Sequence, residues 1–411
     1  MKIQSIRGTH DLYDEQILKY RKIEKVVNDL AKLYDFDEII TPIFESTDLF
    51  KKPLGEQSDV VLKEMYTFND KNESSITLRP ELTTPILRAA ISNNLLSKLP
   101  CKLYGTGPAF RRERPQKGRY RQFNQINFEI LGTYDVLADV ELITLASKIL
   151  EKLLPSKKIN LQINSLGNKE TLNVFKSDLG KYLKKYEDKF TEEIRKKIFS
   201  NPLRILDSKD LEIDDILNNA PIISDYYSKE TKNKFNDLQQ LLKDSSINYT
   251  INSNLVRGLD YYCHTVFEFK TDDLGSQDTL IGGGRYDGLI KLLGGTDLPG
   301  VGWAGGIERI IMLSENFNLK KKNIFLIIMD EIYKNYGFKI ATILRKNNLS
   351  VHFDYKYNLK KSLSNASKQN SELAIIIGEN EVKNNLCTIK YLDKNIQKTV
   401  EVKNIISELI R

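Results

Sequence analysis

The chain is 411 residues long, 40% hydrophobic and 28% charged, and its 62 Lys and Arg against 55 Asp and Glu leave a net charge of +7. This is ordinary globular composition, with length for two or three domains, and the mild positive excess permits a polyanionic partner without requiring one. Cys101, Cys263 and Cys387 form no C-x-x-C pair, and His10, His264 and His352 are far apart, so neither a zinc ribbon nor a disulfide framework is expected, and a transition-metal site is not either.

The opening MKIQSIRGTHDLYDEQ lacks the apolar core of a signal peptide. Apolar runs such as IFLIIM at 324–329 are too short to span a bilayer, and a cytoplasmic protein with no membrane partner is expected. Residues 17–34 place Ile23, Val26, Val27, Leu30 and Leu33 at helical spacing. FDEIITPIFE at 36–45 reads as a strand whose Pro42 cannot donate to a ladder, which suits an edge or an interface. From 166 to 250 the chain turns Lys/Glu-rich and helical, broken by SNPLRILDSKDLEIDD, and reads as an insertion with a small core of its own. Strands return in LVRGLDYYCHTVFEFK at 255–270, followed by glycine-rich GGGRYDG at 282–288 and GVGWAGG at 300–306. Beyond Lys320–Lys322, the runs NIFLIIM and LAIIIG flank two helical patterns, NYGFKIATILRKNN and NLKKSLSNASKQN, and predict a small α/β domain.

The stretch FRRERPQKGRYRQFNQINFEILG at 110–132 stands apart, with Arg111, Arg112, Arg114, Arg119 and Arg121 close together around Glu113. It reads as a strand, a loop RPQKGRY and a returning strand. In the second strand Asn124, Ile126, Phe128 and Ile130 share one mostly apolar face, and Phe123, Gln125, Asn127 and Glu129 share the other. Arg111 and Glu113 share a face for the same reason. A guanidinium fork grips phosphate oxygens bidentately and stays charged; Phe123 could stack on a base, and Glu113 could accept from an exocyclic amine. A solvated, salt-bridged hairpin is the plainer reading, disfavoured because the polar groups keep to one strand face.

FRRERPQKGRYRQF resembles motif 2 of class II aminoacyl-tRNA synthetases, in the form of the histidyl-tRNA synthetase family. FDEIITPIFE is similar to motif 1, a dimer-interface strand, and GVGWAGGIERIIML at 300–313 to motif 3. LVRGLDYYCHTVFEF resembles the family's histidine-specific signature, and TLRPELT at 77–83, GGGRYDG and NPLRILDSK agree. The resemblance implies an α+β fold: a class II catalytic domain, with an antiparallel sheet flanked by helices, in two parts (1–165 and 251–322), a helical insertion (166–250) and an anticodon-binding α/β domain (323–411). It implies a homodimeric ligase that activates L-histidine with ATP, accompanied by Mg2+, and passes it to the 3′ end of tRNA(His).

The resemblance also implies roles. Arg111, Arg257 and Arg309 would be catalytic. Histidine would be held by Glu81, Thr83, Arg111, Gln125, Glu129, Arg257, Tyr261 and Tyr262, with Glu129 and Tyr262 reading the ring, and ATP by Arg111, Glu113, Arg121, Phe123 and Arg309. Gln116, Lys117 and Arg119 would meet the tRNA acceptor end, and no protein side chain is assigned to a metal. Glycines 305 and 306 would admit ATP close to the backbone. Read without the family, Arg257 fits a structural pair with Asp260 equally well, Glu81 a surface helix cap, Tyr261 packing, His264 surface or packing, and Trp303 packing. A synthetase-like regulatory protein that binds histidine without charging tRNA is the competing reading. It is disfavoured because Arg111, Glu113, Arg257 and Arg309 are all present and residues 323–411 remain after the junction.

Overall fold

The computed structural model describes residues 3–55, 58–206, 211–275, 278–315, 323–394 and 396–410. They fall into two units, Met1–Phe317 and Asn318–Arg411; Lys320–Lys322 lie outside the described residues.

In the first unit the helix Asp14–Leu33 buries Ile23, Val27 and Leu30 of the face its spacing predicted, together with Ala31, while Val26 is half-buried and Leu33, in the last turn, is exposed. The segment FDEIITPIFE departs from expectation. It forms two short strands, β1 (Asp37–Glu38) and β2 (Phe44–Ser46), in different sheets. The break falls at Thr41–Pro42, where proline offers no ladder donor. Buried Arg79 serves the carbonyls there instead, with Nη1 donating to Thr41 O at 2.9 Å and Pro42 O at 3.3 Å. β2 joins β3 (Tyr66–Asn69) and β4 (Ser75–Leu78) in a three-stranded sheet ordered β2-β4-β3.

The main sheet has eight strands. Besides β1 it holds β5 (Cys101–Phe110), β6 (Gln122–Leu131), β7 (Asn160–Ser165), β8 (Thr250–Ile251), β9 (Cys263–Lys270), β10 (Thr279–Arg285) and β11 (Gly300–Gly306). Their order is β1-β5-β6-β11-β10-β9-β7-β8, antiparallel except for the β1/β5 and β7/β8 pairs at the two edges. The arginine hairpin is the β5–β6 pair, with Phe110 opposite Gln122. As the alternation predicted, Ile126, Phe128 and Ile130 enter one core, under the helices Asp14–Leu33 and Leu137–Leu153, each contributing about 1.5–3 kcal/mol through burial. Trp303 packs there against Phe128 and donates Nε1–H to Leu142 O at 3.1 Å.

Between β7 and β8 lie the helices Lys169–Lys184, Glu192–Ser200, Leu211–Leu217 and Lys229–Asp244. Asn168 and Ser228 cap the first and last, accepting from Thr171 N and Thr231 N. This segment does not close a core of its own. Leu172, Phe175 and Leu179 share one buried cluster with Leu82, Ile86, Tyr262 and Tyr286, whereas Phe235, Leu238 and Leu242 belong to the other, with Trp303. The amphipathic helices supply apolar cover that the sheet needs.

The second unit is a five-stranded sheet ordered β13-β12-β14-β15-β16: β12 (Asn323–Ile328), β13 (Ser350–Phe353), β14 (Leu373–Ile377), β15 (Leu386–Tyr391) and β16 (Ile396–Glu401). The first three are parallel, linked by the helices Lys334–Lys346 and Leu359–Lys368, as parallel strands require. β13 and the β15–β16 hairpin had no apolar run to announce them; β16 is mostly exposed. Among the described residues no helix is long and apolar enough to cross a membrane.

Candidate active site

On the face of the main sheet opposite Phe128 and Trp303, a cleft gathers residues from five separate stretches: Glu81 and Thr83; Arg111 to Gln125; Arg257 to Tyr262; β10; and β11 with its following helix Ile307–Leu313. Arg111, Glu113, Arg119, Phe123 and Arg309 all line it. Arg111 Nε donates to Pro80 O at 2.8 Å, and its guanidinium lies 5.5 Å from the Phe123 ring centroid. Arg309 donates from Nε to Gly118 O at 3.1 Å and from Nη1 to Thr279 O at 2.5 Å. Burial, then repulsion from Arg119 and Arg111, pushes the Arg309 pKa down. Cations crowded into a dry cleft are what an incoming polyanion relieves.

Glu113 is buried and pairs with Arg119. In that pair Arg119 lines the cleft, although it was expected to meet the tRNA acceptor end together with Gln116 and Lys117. These two are exposed at the loop tip, while Arg119 turns inward because a buried carboxylate needs a counter-charge. Arg121 does not join the cleft: its N–H donates to Gly8 O and its Nε to Glu113 O.

Arg257 reaches the cleft from the loop before β9 and pairs with Glu268, not Asp260. A Cβ on Gly282 would collide with its guanidinium, so the bare glycine lets Arg257 lie against β10. Burial would lower the Arg257 pKa, but Glu268, with Tyr262 and Tyr261, turns the shift upward. Glu268 also accepts from Thr279 Oγ1 at 3.0 Å and pairs with Lys270 at 3.1 Å. Asp260 instead accepts from Asn201 Nδ2 at 3.0 Å and Arg204 Nη2 at 3.3 Å, both in the inserted segment's NPLRILDSK.

At the other end of the cleft, Glu81 is buried and caps the helix Thr83–Ser92, accepting from Thr83 N at 2.7 Å and Thr84 N at 2.9 Å. It is a cap, as its position after Pro80 suggested, but one that faces the cleft rather than the surface. Tyr261 and Tyr262 line the cleft beside it, and burial pushes both phenols upward, so they stay protonated at neutral pH. Gln125 lines the cleft, and among the described residues its buried side-chain oxygen has no hydrogen-bond partner, an acceptor left for a ligand or water. Glu129 lies a layer below, fully buried. It accepts from Thr83 Oγ1 at 2.7 Å, Tyr286 OH at 2.5 Å and Asn127 Nδ2 at 3.3 Å. Burial pushes its carboxyl up to about 8 against these donors. Gly302 is bare because any Cβ there would strike Glu129. Gly305 and Gly306 both line the cleft; a Cβ on Gly305 would press on Ile281, and one on Gly306 would touch Arg309.

A profile described as histidyl-tRNA synthetase matches residues 8–310, and an anticodon-binding domain profile matches residues 310–411. The chain is 45% identical over 400 residues to a histidine–tRNA ligase of Wolbachia pipientis from Culex pipiens, covering 97% of this chain and 98% of that one. It is 43% identical to one from Ehrlichia canis, covering 99% and 98%. The chain belongs to the histidyl-tRNA synthetase family. The solved apo histidyl-tRNA synthetase of Staphylococcus aureus superposes with a TM-score of 0.82 at 33% identity over 99% of each chain. A Bacillus halodurans structure, described as an ATP phosphoribosyltransferase regulatory subunit/histidyl-tRNA synthetase, has a TM-score of 0.68 at 19% identity, covering 92% of this chain and 99% of that one; it shows the shared fold alone.

The fold is the α+β synthetase architecture with an anticodon-binding domain at its C-terminal end. Within it, Tyr286, Glu268, Thr279 and Glu308 escaped the sequence reading. Glu308 lines the cleft and binds the Asn124 backbone N–H at 2.9 Å, which keeps the Asn124 side chain turned toward that helix. A carboxylate beside Arg309 in GIERI and the tyrosine of GGGRYDG were the available signals. Outside the cleft, Cys263, His264 and Asp287 come together, a cluster that the scattered cysteines and histidines had argued against.

Proposed function

We propose the following division of labour for this histidine–tRNA ligase, a class II aminoacyl-tRNA ligase. ATP lies with its adenine on Phe123 and its phosphates among Arg111, Arg119 and Arg309; Mg2+ arrives with the nucleotide and screens the phosphate charge. Glu113 accepts from the adenine amine once Arg119 exchanges it for phosphate oxygens, while Arg121, outside the cleft, holds the Glu113 carbonyl and the Gly8 segment in place. The histidine carboxylate attacks the α-phosphorus, the bond to the bridging oxygen of the β-phosphate breaks, and pyrophosphate leaves. Arg111 and Arg257 hold the charge that develops on the carboxylate and α-phosphate oxygens. Glu81, Thr83 and Gln125 hold the α-amino and carboxylate end, with Tyr261 closing that wall. The imidazole meets the Tyr262 hydroxyl, which can donate to it or accept from it, and Glu129 reads the ring from the layer below through Thr83, which lines the cleft. In the second step the 3′-hydroxyl of the terminal tRNA adenosine attacks the acyl carbon and AMP leaves.

The observation that carries this reading is the convergence of Arg111, Arg119, Arg257 and Arg309 on a cleft that also holds the unpartnered Gln125 acceptor and the tyrosine pair. Gln116 and Lys117, exposed at the hairpin tip, suit contact with the acceptor end of tRNA. Exposed Ile40, Ile43 and Phe44 beside Pro42 suit a homodimer interface, and the enzyme acts in the cytoplasm. The test is ATP–pyrophosphate exchange on the purified chain with each of the twenty amino acids. Exchange with histidine alone is expected. A folded protein that binds histidine without exchange would favour the regulatory reading.

A further inference from the structure

Cys263 and His264 are neighbours at the start of β9, where alternation would send their side chains to opposite faces. The fold defeats that alternation. His264 adopts φ of +47°, in the left-handed region that a non-glycine residue enters at a cost. The β9–β10 register also jumps there, from Gly284 opposite Val266 to Arg285 opposite Cys263. Through this bulge both side chains meet Asp287, which follows β10. Cys263 Sγ, one His264 ring nitrogen and one Asp287 carboxylate oxygen lie within 4.8 Å of one another. His264 Nε2 and Asp287 Oδ2 are 4.0 Å apart.

Asp287 is already anchored for such a role. Its N–H donates to Cys263 Sγ at 3.2 Å, and its Oδ1 accepts from Gly300 N at 3.2 Å, which leaves Oδ2 turned to the imidazole. A tetrahedral ion with ligands about 2.0–2.3 Å away needs donor separations of about 3.5 Å, so contraction of about 1 Å closes the set. The His264 and Asp287 side chains are each 21% exposed, beside a hollow also lined by Ser165 and Thr231, which gives an ion a route in and a fourth position for water. Arg285 and Lys234 face the same hollow; Arg285 pairs with Asp139 at 2.6 Å and also lies 3.8 Å from Asp287 Oδ1, the carboxylate oxygen turned away from the imidazole. Two cations nearby disfavour weakly held hard ions and leave those that bind thiolate and imidazole strongly.

We propose that Cys263, His264 and Asp287 form a site for one thiophilic divalent cation, with Zn2+ the best fit, that clamps the start of β9 to the end of β10. Binding displaces the thiol proton to solvent. The clamp sits directly behind two cleft groups: Cys263 follows Tyr262, and Asp287 follows Tyr286, the donor to Glu129. One ion therefore ties RGLDYYCH to GGGRYDG without touching the substrates.

The test uses the full chain stripped with a chelator, titrated with Zn2+ against a chromophoric competitor and, separately, with Co2+. The expected result is one equivalent bound, one proton released, and a thiolate-to-cobalt charge-transfer band with tetrahedral d–d intensity. Cys263→Ser should abolish that band and weaken Zn2+ by at least about tenfold; a Cys101→Ser/Cys387→Ser double variant should keep both. Zn2+ affinity equal in the wild type and Cys263→Ser, or lost with Cys101 and Cys387, overturns the site. If circular dichroism shows that Cys263→Ser does not fold, His264→Ala replaces it, and unchanged affinity there overturns the proposal equally.

Discussion

Arg257 owes its position to two residues whose motifs do not show that they meet it: Glu268, which pairs with it, and Gly282, which leaves room for it. Arg257→Ala should lower histidine-dependent pyrophosphate exchange by about 10²-fold or more while changing histidine binding modestly; near-normal exchange would remove its proposed role. Glu129 makes a different prediction. Its carboxyl ionises near 8 in the folded chain against 4.5 as a free side chain, because burial outweighs the donors Tyr286, Thr83 and Asn127. The fold thus favours the neutral form. The associated stability is fully present below pH 4.5 and is lost as pH rises through about 8. Asp139, Asp287 and Glu308 are raised too, so the comparison with Glu129→Gln isolates this group. The melting temperature of the unliganded variant should fall less between neutral and alkaline pH than that of the parent; parallel curves would assign the slope elsewhere. Phe123 and Gln125 were legible because strand alternation puts them on one face of β6; Arg111, expected on the preceding strand, lies just past its end at Phe110 and reaches the cleft from the loop. Glu268 and Tyr286 were not, because their roles depend on which strands pair.

The hairpin β5–β6 read cleanly because its polar and apolar positions alternate over a long run. FDEIITPIFE did not, since nothing local says that Arg79 will satisfy the carbonyls at Thr41 and Pro42 and let the chain change sheets. The inserted helices carried a stronger helical signal than either, yet their partners were invisible: an amphipathic face shows that something is covered, not what. What they cover is the wall of the cleft. Through Asn201 and Arg204 they also hold Asp260, directly before Tyr261. Arg204→Ala should therefore raise the KM for histidine several-fold more than the KM for ATP in the exchange assay. Equal changes in both would mean that the contact only stabilises the fold.

The two units divide the proposed work, activation in the first and tRNA recognition shared with the second. A chain ending at residue 322 should retain pyrophosphate exchange far better than tRNA charging, with circular dichroism confirming that it folds; charging undiminished by the deletion would free the second unit of any tRNA role. If Ile40, Ile43 and Phe44 form the proposed interface, sedimentation should give a dimer that Phe44→Lys converts to monomer, whereas an unaltered dimer would move the interface elsewhere. The order of the main sheet has a further consequence for how the enzyme is made. β6 is flanked by β5, its neighbour in sequence, and by β11, which begins only at Gly300, long after β6 ends at Leu131. During synthesis the ribosome releases Arg111 and Glu113 long before Arg257 and Arg309, and the strand that should cover the open flank of β6 emerges last. Polypeptides that terminate early thus hold the Arg111 and Phe123 wall of the cleft without the Arg257 and Arg309 guanidiniums that complete it. They are expected to be silent toward ATP rather than leaky sources of activated amino acid, and to show quality-control factors a bare sheet edge.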